Sequence, residues 1–520
     1  MFKMVDGTGI IGVDMVCPLG GTVSPPQPPN YDKVEMEGVG SLMLPNSLKA
    51  PLERVELIGN STQGENPSPD NPQEIKSAGR KSKNLLIENI SVFTVQDNIA
   101  YIPLPEGHET KPYTMLIQKK PGENDDVGFT CGFYDKSNMT ATYSAPCLQA
   151  GNLVTGNGIV NSKIGVNHFV CFSPADSRFF DIYNVMYAEG KETTLDYEPY
   201  GYLLDVKVTG KNLLDMADIQ NEKGKIDSDF SKAKSIKPFK VIKDRKYLLI
   251  SKGTMIVDVR YSSIHFGEDD LAYGQDSSRK LTTGTGYSCF IGTETRKILV
   301  TKETCTITKT MMHGTRTEKD AYEVEELGLF EIINDNPNID YEPYTEQTMQ
   351  IALDEPLRGI GEYKDVMTKD GVVRKIKRTV FDGSEDEKWA LSNDPKNITT
   401  NRFCIGMKTI NTYYKMLTMC NKMAWKNANQ VDVVGQSTHG VNFYITLPKD
   451  LAPDLQTFRT WLSQNPLTVD YVLAEPATEP LPESVQQQLQ ALHSENGTTH
   501  VFVDSGEVPC GIKLTYRKEK

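Results

Sequence analysis

The phrase LDYEPYG (residues 195–201) returns later in the chain as IDYEPYT (residues 339–345). A second phrase, KNLL, occurs at residues 83–86 and again at residues 211–214. Each KNLL opens a stretch and each YEPY closes it, and the two stretches are similar in length. Internal repeats of this kind are the signature of duplicated structural units, so we predict two copies of one module.

The composition of the repeated stretches is typical of β-strands. The runs FFDIYNVMY (179–187) and KYLLISKGTMIVDVRYSSIHF (246–266) are rich in β-branched and aromatic residues, and turn signals recur every ~8 to 12 residues. We therefore predict an all-β fold of two-sheet sandwich or jelly-roll modules. One short C-terminal helix is expected at 483–493, where apolar residues recur at helical spacing.

A chain of 520 residues is too long for a single hydrophobic core. We divide it into an N-terminal attachment arm with a proline-rich connector (1–30), a small β-rich domain (31–83), two sandwich repeats (84–203 and 204–345), and a diverged third repeat with the C-terminal helix and strands (346–520). The third repeat rests on NPLTVDYVLAEP (465–476), which is similar to NPNIDYEPY (336–344). The arm is apolar and too short for its own core, so we predict attachment or oligomerisation through it, with a disordered tail as the alternative.

Charge and cysteine usage bear on partners and compartment. The net charge of −13 disfavours general nucleic-acid binding. Nine cysteines without a CxxC pair indicate free thiols in a protein made in a reducing cytoplasm. No signal peptide and no membrane span is predicted. One basic stretch alternates with apolar residues, and we interpret it as a solvated edge strand (Arg374, Lys375, Lys377 and Arg378).

Sequence motifs for catalysis are absent: there is no HExxH, GxSxG, Walker A or dinucleotide fingerprint, and the seven histidines are scattered. We predict a protein that is not an enzyme and holds no cofactor. A cell-wall-degrading enzyme is the alternative, since two carboxylates facing a groove suffice for glycoside hydrolysis. Acidic residues in two turns are expected to be solvated, with a structural calcium site as the alternative (Asp125, Asp126, Asp269 and Asp270).

Aromatic residues suggest two kinds of site. The tyrosines of the YEPY phrases stand where the chain leaves a module, and we predict that they plug the module ends rather than bind sugar (Tyr197, Tyr200, Tyr341 and Tyr344). Aromatics in the variable middles are the better glycan-binding candidates, although most are expected in the core (Tyr134, Tyr143, Tyr261, Tyr273, Tyr413, Tyr414 and Trp425).

Three stretches, at 59–86, 186–201 and 359–389, resemble the modular tail and baseplate-appendage proteins of phages and prophages of Gram-positive bacteria. The resemblance implies jelly-roll modules similar to carbohydrate-binding modules, a place in the virion tail or baseplate, and assembly with other tail proteins. It also implies a symmetric homo-oligomer, for which we expect a trimer. The implied role is host-surface adhesion, with host cell-wall polysaccharide as the ligand, or a purely architectural adaptor that never touches the host.

Overall fold

The computed structural model describes residues 2–6, 9–15, 31–86, 95–96, 99–104, 113–119, 130–135, 140–144, 153–156, 168–172, 182–190, 195–220, 225–226, 233–255, 262–272, 275–284, 289–291, 294–314, 322–332, 335–392, 396–413 and 415–519. Strands dominate, and the predicted all-β class is confirmed. Two α-helices lie in these ranges, Leu455–Gln464 and the predicted C-terminal helix Glu483–Ala491. Two 3-10 turns span Met216–Asp218 and Asp276–Ser278.

A twelve-stranded antiparallel sheet, the central sheet, joins distant parts of the chain. Its main path runs Glu346–Leu353, Tyr202–Thr209, Gly497–Asp504, Ser41–Ser47, Gly511–Glu519, Arg54–Ile58, Val366–Thr368, Gly371–Phe381, Leu467–Glu479 and Thr418–Cys420. Two further strands lie off this path: Tyr31–Val39 pairs with Gly511–Glu519, and Arg80–Lys81 pairs with Tyr202–Thr209. Its apolar side chains form a shared core that includes Leu57, Leu204 and Ile512, and the C-terminal helix adds Leu489 to this core.

Three insertions leave the central sheet and return to it between directly paired strands. Residues 84–200 lie between Arg80–Lys81 and Tyr202–Thr209, which pair with each other. Residues 211–345 lie between Tyr202–Thr209 and Glu346–Leu353, and residues 382–466 between Gly371–Phe381 and Leu467–Glu479. The division of the chain into five consecutive units stays a prediction; the strand pairing adds that residues 31–83 share one sheet with residues 497–519.

The second insertion has jelly-roll topology. Its first sheet runs Lys225–Ile226, Tyr322–Glu331, Lys246–Met255 and Glu294–Val300, and its second runs Lys234–Val241, Cys305–Gly314, Ser262–Gly267 and Cys289–Ile291. Numbered in chain order within the module, these sheets read 1-8-3-6 and 2-7-4-5, which is the strand order of a jelly roll. A buried cluster that includes Tyr247, Phe266 and Leu329 forms its core.

The first insertion repeats this order. Its sheets run Val95–Gln96, Ile99–Pro103, His168–Phe172, Thr130–Asp135 and Thr140–Ser144, and Leu153–Gly156, Tyr113–Lys119 and Ile182–Glu189. In chain order these read 1-2-7-4-5 and 6-3-8. In the strands that the structure describes, the two insertions share this order except for the partner of the first short strand, as expected of two copies of one module.

The third insertion packs a five-stranded sheet against the end of the central sheet. This sheet runs Ala390–Ser392, Thr400–Gly406, Asn442–Pro448, Gly435–Gly440 and Thr412–Tyr413. Helix Leu455–Gln464 begins at the N-cap Asp454 and buries Phe458, whose ring stacks on Phe403 at a centroid distance of 4.0 Å. We did not predict this helix, although its apolar residues recur at helical spacing and an aspartate caps it.

Short two-stranded pairs complete the described strands. They are Phe2–Asp6 with Gly9–Met15, Ala50–Pro51 with His493–Ser494, Ser61–Gln63 with Ile75–Ser77, and Gly359–Ile360 with Tyr363–Lys364. The first pair belongs to the N-terminal arm. The proline connector lies outside the described residues, so the predicted role of the arm stays a prediction.

The interpretation of the basic stretch as solvated was wrong for Arg374, which is buried, whereas Lys377 is exposed. Only residues 372–373 of strand Gly371–Phe381 pair on both sides, whereas Arg374, Lys377 and Arg378 pair on one side, with Leu467–Glu479, among the described strands. Arg374 is buried and donates to Glu479 at 2.8 Å, to the Pro356 carbonyl at 2.7 Å and to Asp365 at 3.3 Å. Alternating charge alone could not indicate this, because the compensating carboxylates come from other segments of the chain.

Candidate functional site

The KNLL phrase of the first module is tied to its YEPY phrase by Asn84. This side chain is buried, and its Nδ2 donates to the Glu198 carbonyl at 3.0 Å. Its Oδ1 accepts from the backbone N–H of Leu86 at 3.0 Å and of Tyr187 at 3.3 Å. The opening, the last strand and the closing segment of the module therefore meet on one asparagine.

Asn212 makes the same contacts in the second module. Its Nδ2 donates to the Glu342 carbonyl at 3.0 Å, and its Oδ1 accepts from Leu214 N–H at 3.0 Å and Leu329 N–H at 3.1 Å. We call each arrangement a neck clasp, defined by Asn84 or Asn212 and the groups to which it is bonded. The repeated phrases thus fasten the module at the point where it joins the central sheet.

The YEPY tyrosines lie beside these clasps. Tyr341 is half-buried and meets Phe330 edge-on, with ring centroids 6.3 Å apart, and burial raises the pKa of its hydroxyl. Tyr197 packs in the equivalent place, against a cluster that includes Met186. Tyr344 is half-buried and donates to Glu346, whereas Tyr200 is exposed. Their predicted role as module plugs stays a prediction.

The aromatic glycan candidates are spread over all three insertions and are only partly described. Tyr134 and Tyr143 stand on neighbouring strands of the first module, and Tyr413 stands on a strand of the third insertion. Trp425 is 36% exposed. Tyr261, Tyr273 and Tyr414 lie outside the described residues.

The calcium candidates are not gathered by any described group of ligands. Asp125 and Asp126 lie outside the described residues. Asp269 and Asp270 are exposed, and Asp269 accepts from Thr308 at 3.3 Å. In the part of the chain that the structure describes, no three His, Cys, Asp or Glu side chains stand close enough to hold a metal ion. The calcium alternative stays untested for residues outside it.

A cleft of about 620 Å³ lies where the first module joins the central sheet, beside Arg80–Lys81 and Tyr202, and we call it the Arg378 cleft. Its lining consists of residues 74–77 and 79–81, Tyr202, Pro356, Arg378, and three residues of the turn at 504–507 (Asp504, Gly506 and Glu507). Its volume falls within the range of small-ligand sites, roughly 300–1,000 Å³.

Arg378 is held rigidly in this cleft. Its guanidinium donates to both oxygens of the fully buried Asp470, at 2.7 and 2.9 Å, and to the Ile75 carbonyl at 2.9 Å. Burial alone would lower the pKa of this guanidinium, but the hydrogen bonds and charge of Asp470 outweigh burial and raise it. The group is therefore a fixed, charged hydrogen-bond donor.

Arg80 is held in the same manner. It donates to Glu198 at 2.7 Å and to Asp205 at 3.1 Å. The turn at 504–507 packs directly on its backbone, since a Cβ on Gly506 would lie 3.1 Å from Arg80 Cα. Gly506 also has a φ of +79°, which disfavours any other residue there.

None of the lining residues was a predicted site residue. Arg378 belongs to the basic stretch that we interpreted as a solvated edge. Tyr202 directly follows the first YEPYG phrase, which was a usable signal. Arg80 and Gly506 come from opposite ends of the chain, and no local pattern joins them.

Comparison with known proteins leaves the family open. No protein-family model and no curated protein matches the chain. Among solved structures, it is similar to a T=1 particle derived from infectious bursal virus, with 6% identity, 96% of this chain and 81% of that chain covered, and a TM-score of 0.11. A second is the VP2 subviral particle of infectious bursal disease virus, with 8% identity, 96% and 84% coverage, and a TM-score of 0.09. Within the described ranges, no helix is long and apolar enough to cross a membrane.

Proposed function

We propose that the protein is a structural component of a phage tail or baseplate that binds saccharide on the host surface, without catalytic activity. The observation that carries this proposal is the repeated module. Two units of jelly-roll order, each fastened by the same neck clasp, are inserted into successive strand pairs of one sheet. The resemblance of residues 59–86, 186–201 and 359–389 to tail-appendage proteins supports the same role.

Duplication on a shared scaffold suits adhesion to a repetitive polymer. A jelly roll by itself specifies no function, but two linked copies raise the effective concentration of the second binding event. A weak site for one sugar unit therefore gains affinity for a polysaccharide without any new contact.

An architectural adaptor is the second candidate. The central sheet favours it, because twelve strands joined in one sheet hold the inserted units to a common frame. A joint between tail parts requires such a frame, and it requires no ligand.

A binding assay separates the two candidates. Fluorescently labelled full-length protein would be incubated with host cells, with and without soluble cell-wall polysaccharide from the same host. The saccharide-binding proposal expects saturable binding that the polysaccharide competes away. Absence of cell binding by a protein that is present in virions would favour the adaptor. Release of new reducing ends from the polysaccharide would instead indicate the enzyme alternative.

A further inference from the structure

The Arg378 cleft contains donors that are already oriented for a ligand. The bonds of Arg378 to Asp470 and Ile75 use its Nε and one terminal nitrogen. Its other terminal nitrogen donates to no residue that the structure describes, and the side chain is 28% exposed. Asp470 and the Ile75 carbonyl already hold this guanidinium in place. It therefore loses little conformational entropy when its unbonded terminal nitrogen, the free edge, binds a ligand.

The charge around the cleft favours a neutral ligand. Carboxylates already pair with both arginines, Asp470 with Arg378, and Glu198 and Asp205 with Arg80. Lys76 pairs with Glu507 within the lining. Glu74 and Asp504 add negative charge, and Lys81 adds positive charge. A phosphate site needs cations that are not already neutralised, whereas sugar hydroxyls accept from and donate to such paired groups.

Tyr202 supplies the apolar surface that a sugar requires. It is half-buried in the lining, and its hydroxyl bonds no described residue. An aromatic ring with a polar tip covers the C–H face of a pyranose while the hydroxyl remains available for hydrogen bonding. Pro356 lies in the same lining and extends this apolar surface.

The walls of the cleft are fixed by close backbone contact. A Cβ on Gly79, which has a φ of +136°, would lie 3.1 Å from Tyr202 Cβ and 3.3 Å from Pro356 Cβ. Gly79 N–H donates to the Ser505 carbonyl at 2.8 Å, which ties the wall at 74–81 to the turn at 504–507. The shape is therefore set by the fold.

We propose that the Arg378 cleft is a binding site for a neutral sugar unit of a polysaccharide. The free edge of Arg378 donates to sugar hydroxyls, Tyr202 covers the sugar face, and Arg80, held by its carboxylates, lines the same cleft. The site is distinct from the aromatic candidates of the modules. Only the identification of the sugar as part of a host polysaccharide rests on the proposed function.

Saturation-transfer NMR on the full chain tests this site. The probes are methyl glycosides of glucose, galactose, rhamnose and N-acetylglucosamine, with glycerol 3-phosphate as the anionic comparison. We expect transfer to at least one neutral glycoside, with little dependence on salt. Tyr202→Ala should weaken that binding by about tenfold or more, and Tyr202→Phe by about threefold. Arg80→Lys keeps the charge but loses the planar fork, and should also weaken binding.

Two substitutions outside the cleft serve as matched controls. Tyr200→Ala removes an exposed tyrosine two positions away, and Arg517→Lys alters an arginine paired with Glu53. Both should bind as the unaltered protein does, and thermal melting checks that every variant folds. If Tyr202→Ala does not fold, the glycoside binding of Tyr202→Phe and Arg80→Lys tests the site instead.

Three outcomes would overturn the site: no transfer to any neutral glycoside, equal transfer in the cleft variants and the controls, or binding of glycerol 3-phosphate alone. Failure of this site and failure of the proposed function give different experimental results. Host cells that bind the Tyr202→Ala variant as well as the unaltered protein would reject the cleft and leave the adhesion role standing. Glycoside binding through the cleft by a protein absent from virions would do the reverse.

Discussion

Replacing Asn212 by alanine should loosen the second module at its neck. The change removes the donor to the Glu342 carbonyl and the acceptor of the Leu214 and Leu329 N–H groups, at distances of 3.0 to 3.1 Å. Asn212 is 1% exposed, so water reaches these groups poorly. Each orphaned buried group costs about 1–3 kcal/mol. Because relaxation recovers part of this, we expect a loss of about 3 kcal/mol.

Hydrogen exchange measured by mass spectrometry is the appropriate assay, because a chain with several cores has no single free energy of unfolding. A loss of about 3 kcal/mol in local opening corresponds to about a hundredfold faster exchange in peptides that cover Tyr322–Glu331. The matched control is Asn338→Ala, an exposed asparagine in the closing segment of the same module, with an expected effect under about 0.5 kcal/mol. If exchange in Asn212→Ala stays within threefold of the rate in the unaltered protein, the stabilising role of the neck clasp is refuted.

Three other perturbations test further parts of the account. Tyr341→Ala should lower the local stability of the second module by about 2–3 kcal/mol, measured by hydrogen exchange in peptides that cover Tyr322–Glu331, because the ring packs on Phe330. Ligand binding should stay unchanged, and a reversal of these two results would favour a sugar-binding role. Burial, followed by the charge of Arg245, lowers the pKa of His500 from 6.5 to about 4. The unfolded chain therefore binds a proton first as the pH falls from about 6.5 to 4, so stability is lost across that window, by about 3 kcal/mol. The stability difference between the unaltered protein and His500→Leu should change with pH only there, and a constant difference would contradict the assignment. Deleting residues 1–30 should reduce the mass measured by light scattering or abolish incorporation into particles, whereas unchanged results in both assays would remove the predicted role of the arm.

The repeated phrases predicted more of the fold than any composition statistic. KNLL and YEPY each occur twice in the sequence, and the structure joins them through Asn84 and Asn212. A short phrase can persist in two copies when it makes the same buried contacts in each.

The central sheet could not be predicted in this way. Its strands come from residues 31–83, 202–209, 346–381, 418–420 and 467–519, and single-sequence patterns carry no information on pairing between segments so far apart. Arg374 and Arg378 were taken for solvated residues because local alternation does not show which carboxylates they meet: Asp365 lies between two short strands, and Asp470 lies on Leu467–Glu479. The Arg378 cleft depends on these long-range pairings and was missed with them.

The central claim, a tail component that binds saccharide, is tested most directly on the particle itself. Antibodies raised against the purified chain and coupled to gold would be imaged on virions by electron microscopy. In parallel, binding of the labelled protein to host cells would be measured before and after addition of soluble host cell-wall polysaccharide. We predict gold at the tail or baseplate, and cell binding that the polysaccharide abolishes. Virions without label, whose proteins yield no peptides of this chain by mass spectrometry, would contradict the account.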